Sequence, residues 1–427
     1  MKQQYIKDLK EYLDKEVLLK GWVYNFRSSG KIAFLQLRDG SGFAQCVVAK
    51  DSVSAEVWKV VEEMTLESSV EISGIVSKHP KKEEYELQVK ELSFIQRAAE
   101  YPLGKKDHGP DFLLENRHLW LRSPKQWAIQ KVRNTVINAI YEYLNMEGFT
   151  KIDSPILTPT SCEGTTELFE MDYFDEGKAY LSQSGQLYIE AAIASHGKVF
   201  DFGPVFRAEK SKTKRHLTEF WMMDAEMAFF DHDMSLEVQE NLISHVAKKV
   251  LEVNQKELEI LERDPKVLES IKAPFNRLTY ADSIKRLQEK GSDIKDGEDL
   301  GNDDETLIME GYDKPLFIEK WPANVKAFYM KREGDLALCD DMIAPEGHGE
   351  VIGGSQREDD YDTILARVKA DKLPEEAFKW YLDLRQYGSV PHSGFGVGLE
   401  RLVGWMCGIK HVRETIPFPR MINRIYP

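Results

Sequence analysis

Three observations predict an α+β protein made of a small all-β barrel followed by a larger mixed body. Residues 17 to 97 break into five short strand-like runs punctuated by turn signals. Helical periodicity then starts abruptly at Trp127. Beyond it, strands and helices intermingle without the regular βαβ rhythm that a parallel sheet leaves in a sequence.

At the N-terminus, Ile6, Leu9 and Leu13 recur at near-helical spacing and predict a short helix over 4–14. The strand runs are Val17 to Phe26, Lys31 to Arg38, Phe43 to Ala49, Ser69 to Val76 and Glu84 to Ile95. Ser28-Ser29-Gly30 and Asp39-Gly40-Ser41-Gly42 mark turns between them. Five short strands closing on themselves suit a barrel of the OB type, an architecture used to hold single-stranded nucleic acid. A stretch rich in proline, glycine and charge, Pro102 to Pro124, reads as a hinge. The expected division is a barrel over 1–100, a hinge over 101–125 and a larger domain over 126–427.

In that domain, Ile129, Val132, Val136, Ile140 and Leu144 share one face of a helix that Gly148 ends. Strands are predicted at Tyr180 to Gln183, Val199 to Val205 and Glu219 to Met227, then at Leu316 to Glu319, Ala327 to Lys331 and Gly349 to Gly353. Between the two sets lies a helical insertion, about 234–310, with helices at 234–261 and Tyr280 to Lys290 and an exposed acidic loop from Asp293 to Glu305. A last helix, Pro374 to Tyr387, precedes a glycine-rich stretch.

Composition bounds the function. A chain of 427 residues exceeds one ordinary domain, and its 42% hydrophobic content is enough to fill several cores. No apolar run approaches a membrane span and the start carries no charged-apolar-small leader, so a cytoplasmic protein without a membrane partner is expected. Cys46, Cys162, Cys339 and Cys407 lie far apart in no metal or redox spacing and read as reduced thiols. The net charge of −15 speaks against a broad phosphate-binding surface, yet basic clusters at Lys81-Lys82, Lys105-Lys106 and Lys210 to His216 leave room for a brief RNA contact.

Three segments carry chemistry. Phe206-Arg207-Ala208-Glu209 sits ahead of a loop with Lys210, Lys212, Lys214, Arg215 and His216. On a strand, an Arg and a Glu two apart share a face, one to neutralise phosphate and one to accept from an amine. A solvated hairpin with a charged turn is the plain alternative. Pro391 to Leu402 alternates glycines at 394, 396 and 398 and ends in Arg401, a fork for phosphate. It lacks the strand-turn-helix setting of a dinucleotide fingerprint, and tight helix-on-sheet packing would also explain it. Gly349 to Glu358 offers Glu350 as a hard-oxygen ligand for Mg²⁺ and Arg357 beyond paired glycines. A bare charged turn is the alternative there.

Taken together, these segments make the chain resemble class II aminoacyl-tRNA synthetases of the aspartate/asparagine/lysine subgroup. Trp127 through Pro155 resembles the first motif, Phe206 to Glu209 with its loop the second, and Gly396 to Leu402 the third; the barrel matches the subgroup's anticodon-binding domain. The resemblance spans essentially the whole chain. It implies a catalytic domain built on an antiparallel β-sheet flanked by helices, a homodimer formed through the first motif, ATP as substrate and Mg²⁺ as cofactor. Within the subgroup, Ser182 to Glu190 is decisive. Aspartate-charging members have a proline where Gly185 stands and, where Ile189 stands, a lysine that faces the substrate carboxylate. Trp380 to Gly396 is also similar to asparagine-charging members, although many of those carry Glu where this chain has Asp224. L-asparagine and tRNA(Asn) are therefore implied, with aspartate, alone or alongside asparagine, as the alternative.

The resemblance also implies roles. Arg207 would clamp the α-phosphate, Glu209 the adenine side, Arg215 and His216 the outer phosphates and Arg401 the γ-phosphate. Leu217, Gly398, Leu399 and Glu400 would complete the ATP site, and Glu350 would hold Mg²⁺. Glu163, Ser184, Gln186, Asp224 and Gly353 would surround the amino acid, with Arg357 on its side-chain carbonyl. In the barrel, Phe34 would stack on an anticodon base, Gln45 would read the central uridine and Arg27 would contact phosphate or base, against barrel core for Phe34 and surface amide for Gln45. His392 reads as structural or adenine-adjacent, and Trp321, Trp380 and Trp405 as core.

Overall fold

The computed structural model describes residues 2–81, 83–104, 106–159, 167–211 and 213–427. Two compact units divide the chain, 1–109 and 110–427.

In the first unit, strands β1 (Glu16–Ser29), β2 (Ile32–Arg38), β3 (Phe43–Ala49), β4 (Ser69–Lys78) and β5 (Tyr85–Gln96) close a barrel in the order β1-β2-β3-β5-β4. Alternation decides which side chains fill it. Ala33, Leu35 and Leu37 point inward with Leu19, Val23, Cys46 and Val48, while Phe34 and Gln36 stand outside. The predicted N-terminal helix forms as a 3-10 turn, Ile6–Tyr12, with Ile6 and Leu9 on the barrel core.

The second unit opens with two short helices, Pro110–Glu115 and Arg117–Trp120, in place of the latter half of the expected hinge. Arg117 explains the order there. It is fully buried and caps the carbonyls of Pro417, Glu414 and Ile416. The small sheet β7-β9-β8 comprises β7 (Leu157–Thr158), β8 (Glu170–Asp172) and β9 (Lys178–Leu181). The large sheet is built from β6 (Thr150–Lys151), β10 (Lys198–Phe206), β11 (Glu219–Ala228), β12 (Asn276–Thr279), β13 (Leu316–Pro322), β15 (Leu336–Ala344), β16 (Gly349–Gln356) and β17 (His392–Gly398), with β14 (Arg332–Glu333) off the main path on β15. Its order is β12-β13-β15-β16-β17-β11-β10-β6. Every central pairing is antiparallel, and only the outermost pairs, β10 with β6 and β12 with β13, run parallel.

Helices Pro124–Met146, His232–Val253 and Leu399–Cys407 cover one face of the sheet with a continuous core. In the first of them Val132, Val136 and Ile140 have no exposed surface, Ser123 caps the start through the Gln126 N–H, and Pro124 fills a position whose N–H has no helical partner. Further elements depart from the sequence reading. Ala327 to Lys331 is a turn with one isolated bridge, Met330 to Arg357, instead of a strand. The strand lies further on, at β15. The acidic stretch 293–305 ends in a helix, Asn302–Ile308, at whose start the Gly301 N–H donates to Asp304 Oδ2 at 3.2 Å.

Candidate active site

The open face of the large sheet carries the site. On β11, Met223, Ala225 and Met227 enter the core, so Asp224 and Glu226 must point the other way. Opposite them on β17 stand Gly396 and Gly394. A Cβ at 396 would lie 2.7 Å from Asp224 Oδ1, and one at 394 would lie 2.1 Å from Glu226 Oε1. Two of the alternating glycines thus clear space for carboxylates of the next strand, while Gly398 faces open cavity.

A cavity of about 460 Å³ occupies this face. At one end are Ser184, Gln186, Asp224, Gly353 and Arg357. At the other are Arg207, Glu209, Arg215, His216 and Leu217, together with Glu350, Gly398, Glu400 and Arg401. Leu399 is the exception among the described residues predicted for this site. It has no exposed surface and packs into the core at the start of its helix. Glu163 lies outside the described residues, as does Lys212 of the basic loop. Strand β10 stops at Phe206, so Arg207 and Glu209 meet in the cavity from a loop and not by strand alternation.

At the first end, Asp224 Oδ2 accepts from Ser184 Oγ and from the Gly185 N–H, both at 2.9 Å. A proline at 185 would remove the second donor. Burial pushes the Asp224 carboxyl up to about 6, against those two hydrogen bonds and with Asp201 adding to the rise. Arg357, 3% exposed, donates from Nε and Nη2 to Glu226 Oε1 and from Nη1 to Ser355 Oγ. Glu226 Oε2, equally buried, has no hydrogen-bond partner among the described residues.

Behind this pair, Glu190 accepts from Gln186 Nε2, Tyr381 Oη, Arg385 Nη2 and His392 Nε2. Burial opposes its charge, but Arg385, His392 and Arg357 hold its carboxyl well below the usual range. His392 Nδ1 meets the Val390 carbonyl, so its ring is fully engaged and structural. The orienting acid exists, 202 residues away in sequence. Ile189 has no exposed surface and lies with Ile193, Val199 and Ala228. It withholds a cation from the site without lining the cavity. The sequence reading gave Glu190, Glu226 and Arg385 no role of their own.

At the second end, Arg401 Nη1 donates to the Glu350 carbonyl at 2.7 Å and lies 3.4 Å from its carboxylate. Arg215 is tied to Glu305, Asn302, Thr306 and the Gly347 carbonyl, so the basic loop is anchored to the helix of the insertion. Burial, with Glu350 nearby, pushes the Glu305 carboxyl up to about 7. Burial and Glu350 likewise raise Asp341, which Lys326 Nζ meets at 2.6 Å. His216 is shifted down by burial and by Arg401, so its imidazole is neutral at neutral pH. Glu400 is held by Arg133, 2.8 Å away, and by the Trp221 N–H, which joins the long N-terminal helix of this unit to the helix bearing Arg401.

On the barrel, Phe34 is half-buried on the outside and Arg27 lies over its ring, 4.7 Å from the centroid. That excludes barrel core for Phe34. Gln45 Nε2 donates to Glu86 Oε2 at 2.9 Å.

Residues 17–95 match the OB-fold nucleic acid binding domain, and residues 109–422 match the tRNA synthetases class II (D, K and N). The chain belongs to the class II tRNA synthetases of the D, K and N group. Members of this group are ligases, and the second and third motifs of the synthetase meet in the one cavity. Among solved structures, it is similar over 100% of both chains to the asparaginyl-tRNA synthetase of Pyrococcus horikoshii complexed with asparaginyl-adenylate, with 43% identity and a TM-score of 0.96. The asparaginyl-tRNA synthetase of Entamoeba histolytica, also complexed with asparaginyl-adenylate, gives 34% identity, a TM-score of 0.87 and 97% coverage of each chain. The aspartyl-tRNA synthetase of the same organism gives 27% identity and a TM-score of 0.84, over 100% of this chain and 93% of that one. Among the described residues, no helix is long and apolar enough to cross a membrane.

Proposed function

We propose that this synthetase ligates L-asparagine to tRNA(Asn) at the expense of ATP, through an asparaginyl-adenylate. One observation carries the choice of amino acid. Glu226 Oε2 is a buried acceptor with no donor among the described residues, beside an arginine already paired to the same carboxylate. A carboxamide offers both an N–H for that oxygen and a carbonyl for Arg357. A carboxylate side chain offers no donor and would meet Arg357, whose charge Glu226 already balances. Unpaired buried charge is costly, so the neutral amide is preferred. Pyrophosphate exchange with each amino acid tests this. Asparagine alone should turn over efficiently, and equal turnover with aspartate would assign the non-discriminating alternative.

The chemistry needs no protein nucleophile. The amino-acid carboxylate attacks the α-phosphorus of ATP, the bond to the bridging oxygen breaks and pyrophosphate leaves. A ribose hydroxyl at the tRNA terminus then attacks the acyl carbon and AMP departs. Positioning and charge neutralisation do the catalytic work. In this reading Arg207 clamps the α-phosphate, Glu209 accepts from adenine, and His216, Arg215 and Arg401 face the outer phosphates. Asp224, with Ser184 and Gln186, receives the α-ammonium.

The residues present fit Mg²⁺. A side chain at Gly353 would lie 3.2 Å from Glu350 Oε1 and 3.8 Å from Asp341 Oδ1, so two hard-oxygen donors converge over a glycine. Glu350 and Asp341 would hold the ion, which when bound neutralises phosphate charge.

Because Asp224 titrates near 6, its negative charge is lost as pH falls through that value. The KM for asparagine is therefore expected to rise below about pH 6 and level off above it, while the KM for ATP changes little. Pyrophosphate exchange across pH checks this.

The barrel is assigned to the anticodon, with Phe34 as stacking platform, Arg27 beside it and Gln45 as the uridine reader. Stacking of one base is worth about 1–3 kcal/mol. Phe34→Ala should raise the KM for tRNA by about 5- to 150-fold while leaving pyrophosphate exchange unchanged. A homodimer through the 127–155 segment and a cytoplasmic location complete the proposal.

A further inference from the structure

On the back of the large sheet, away from the ATP cavity, charge is left unbalanced. Asp340 and Asp341 are neighbours on β15 and so point to opposite faces. Asp341 lines the cavity, and Asp340, with no exposed surface, faces the helix His232–Val253. There His232 Nε2 donates to Asp340 Oδ1 at 3.1 Å. Glu319 is the direct cross-strand partner of Asp340 and shares its face. The ligand atoms offered by His232, Asp233 and Glu319 all lie within 4.8 Å of one another.

Two features mark this cluster as short of positive charge. Asp340 Oδ2 is buried and has no hydrogen-bond partner among the described residues. Three carboxylates, Asp233, Glu240 and Glu319, share a single arginine, and Asp340 has only His232. Arg277 reaches Glu240 at 3.3 Å but stands 3.8 Å from Asp233 and 3.9 Å from Glu319, too far for hydrogen bonds, and its side chain is 36% exposed. Burial raises the Glu319 carboxyl, His232 and Arg277 oppose the rise, and Asp340 and Asp233 add to it.

We propose that His232, Asp233 and Glu319 form a site for a first-row divalent cation of the zinc class, with Asp340 orienting the histidine from behind. A carboxylate that takes the Nε2–H leaves Nδ1 with its lone pair, the arrangement that commonly supports an imidazole ligand. One imidazole and two carboxylates suit Zn²⁺ better than Mg²⁺, which takes oxygen alone. Such an ion would tie the start of that helix to β13, and through Asp340 to β15. It lies on the opposite face from the phosphates, so the proposal is independent of the ligase reading.

The test uses tag-free full-length protein, stripped of metal and held in excess Mg²⁺. Titration with Zn²⁺, followed by calorimetry and by thermal melting, should show one saturable equivalent and a melting temperature raised by a few degrees. Asp233→Asn, at an exposed position, should weaken Zn²⁺ binding by at least about tenfold without moving the metal-free melting temperature. Glu319→Gln should act alike, and Arg277→Met should tighten binding by removing the competing cation. Absence of saturable Zn²⁺ binding, or binding that Asp233→Asn and Glu319→Gln both leave intact, overturns the site.

Discussion

Glu226→Gln is expected to lower kcat/KM for asparagine by about 10² to 10⁴ and to move the enzyme's preference toward aspartate. Among the described residues Glu226 is the sole carboxylate within hydrogen-bond reach of Arg357, through Nε and Nη2, and neither side chain is more than 3% exposed. Making it neutral leaves a buried guanidinium without its counter-charge. Breaking such a pair from one side costs about 3–5 kcal/mol, which corresponds to a factor of about 10² to 10³ or more. The same change gives the site a net positive charge that a substrate carboxylate would relieve. Both amino acids are compared by pyrophosphate exchange, with circular dichroism melts to show that the fold survives. If asparagine turnover stays within a few-fold of the parent and aspartate gains nothing, Glu226 does not meet the amide.

Arg401→Ala is expected to reduce adenylate formation by about 10³-fold or more, the scale at which a single arginine stabilises phosphoryl transfer. Arg401 lines the cavity and is 23% exposed at its side chain, so replacement should leave the fold intact. Its present partners, the Glu350 carbonyl and carboxylate, remain accessible to water when it goes. The deficit should fall mainly on kcat and on the KM for ATP, with the KM for asparagine nearly unchanged. Unaltered exchange activity would remove Arg401 from the phosphate site.

How far the sequence leads depends on whether partners are local. The five barrel strands could be read from alternation because each buries one face. The phosphate-end residues could be read because Arg207 to Leu217 and Gly398 to Arg401 are short contiguous runs. The buried network at the amino-acid end could not, since Glu190 meets Arg385 and His392 only across 195 and 202 residues. Strand β15 escaped because Asp340-Asp341 interrupts its apolar pattern, each acid serving a different face. The helix Gln186–His196 escaped because the sheet and the glutamate network bury it from more than one side, leaving no polar stripe to mark its period. Ile189 was informative for the charge it lacks, although its place is in the core.

The lane of glycines on β17 has an evolutionary meaning. Asp224 fits only because position 396 has no side chain, and a Cβ there would sit 2.7 Å from its oxygen with nothing else closer than Met222 Sδ at 3.4 Å. The constraint is ordered: bulk gained at 396 has to follow a shortening at 224. The two residues, 172 apart in sequence but facing each other across one ladder rung, form a single heritable unit.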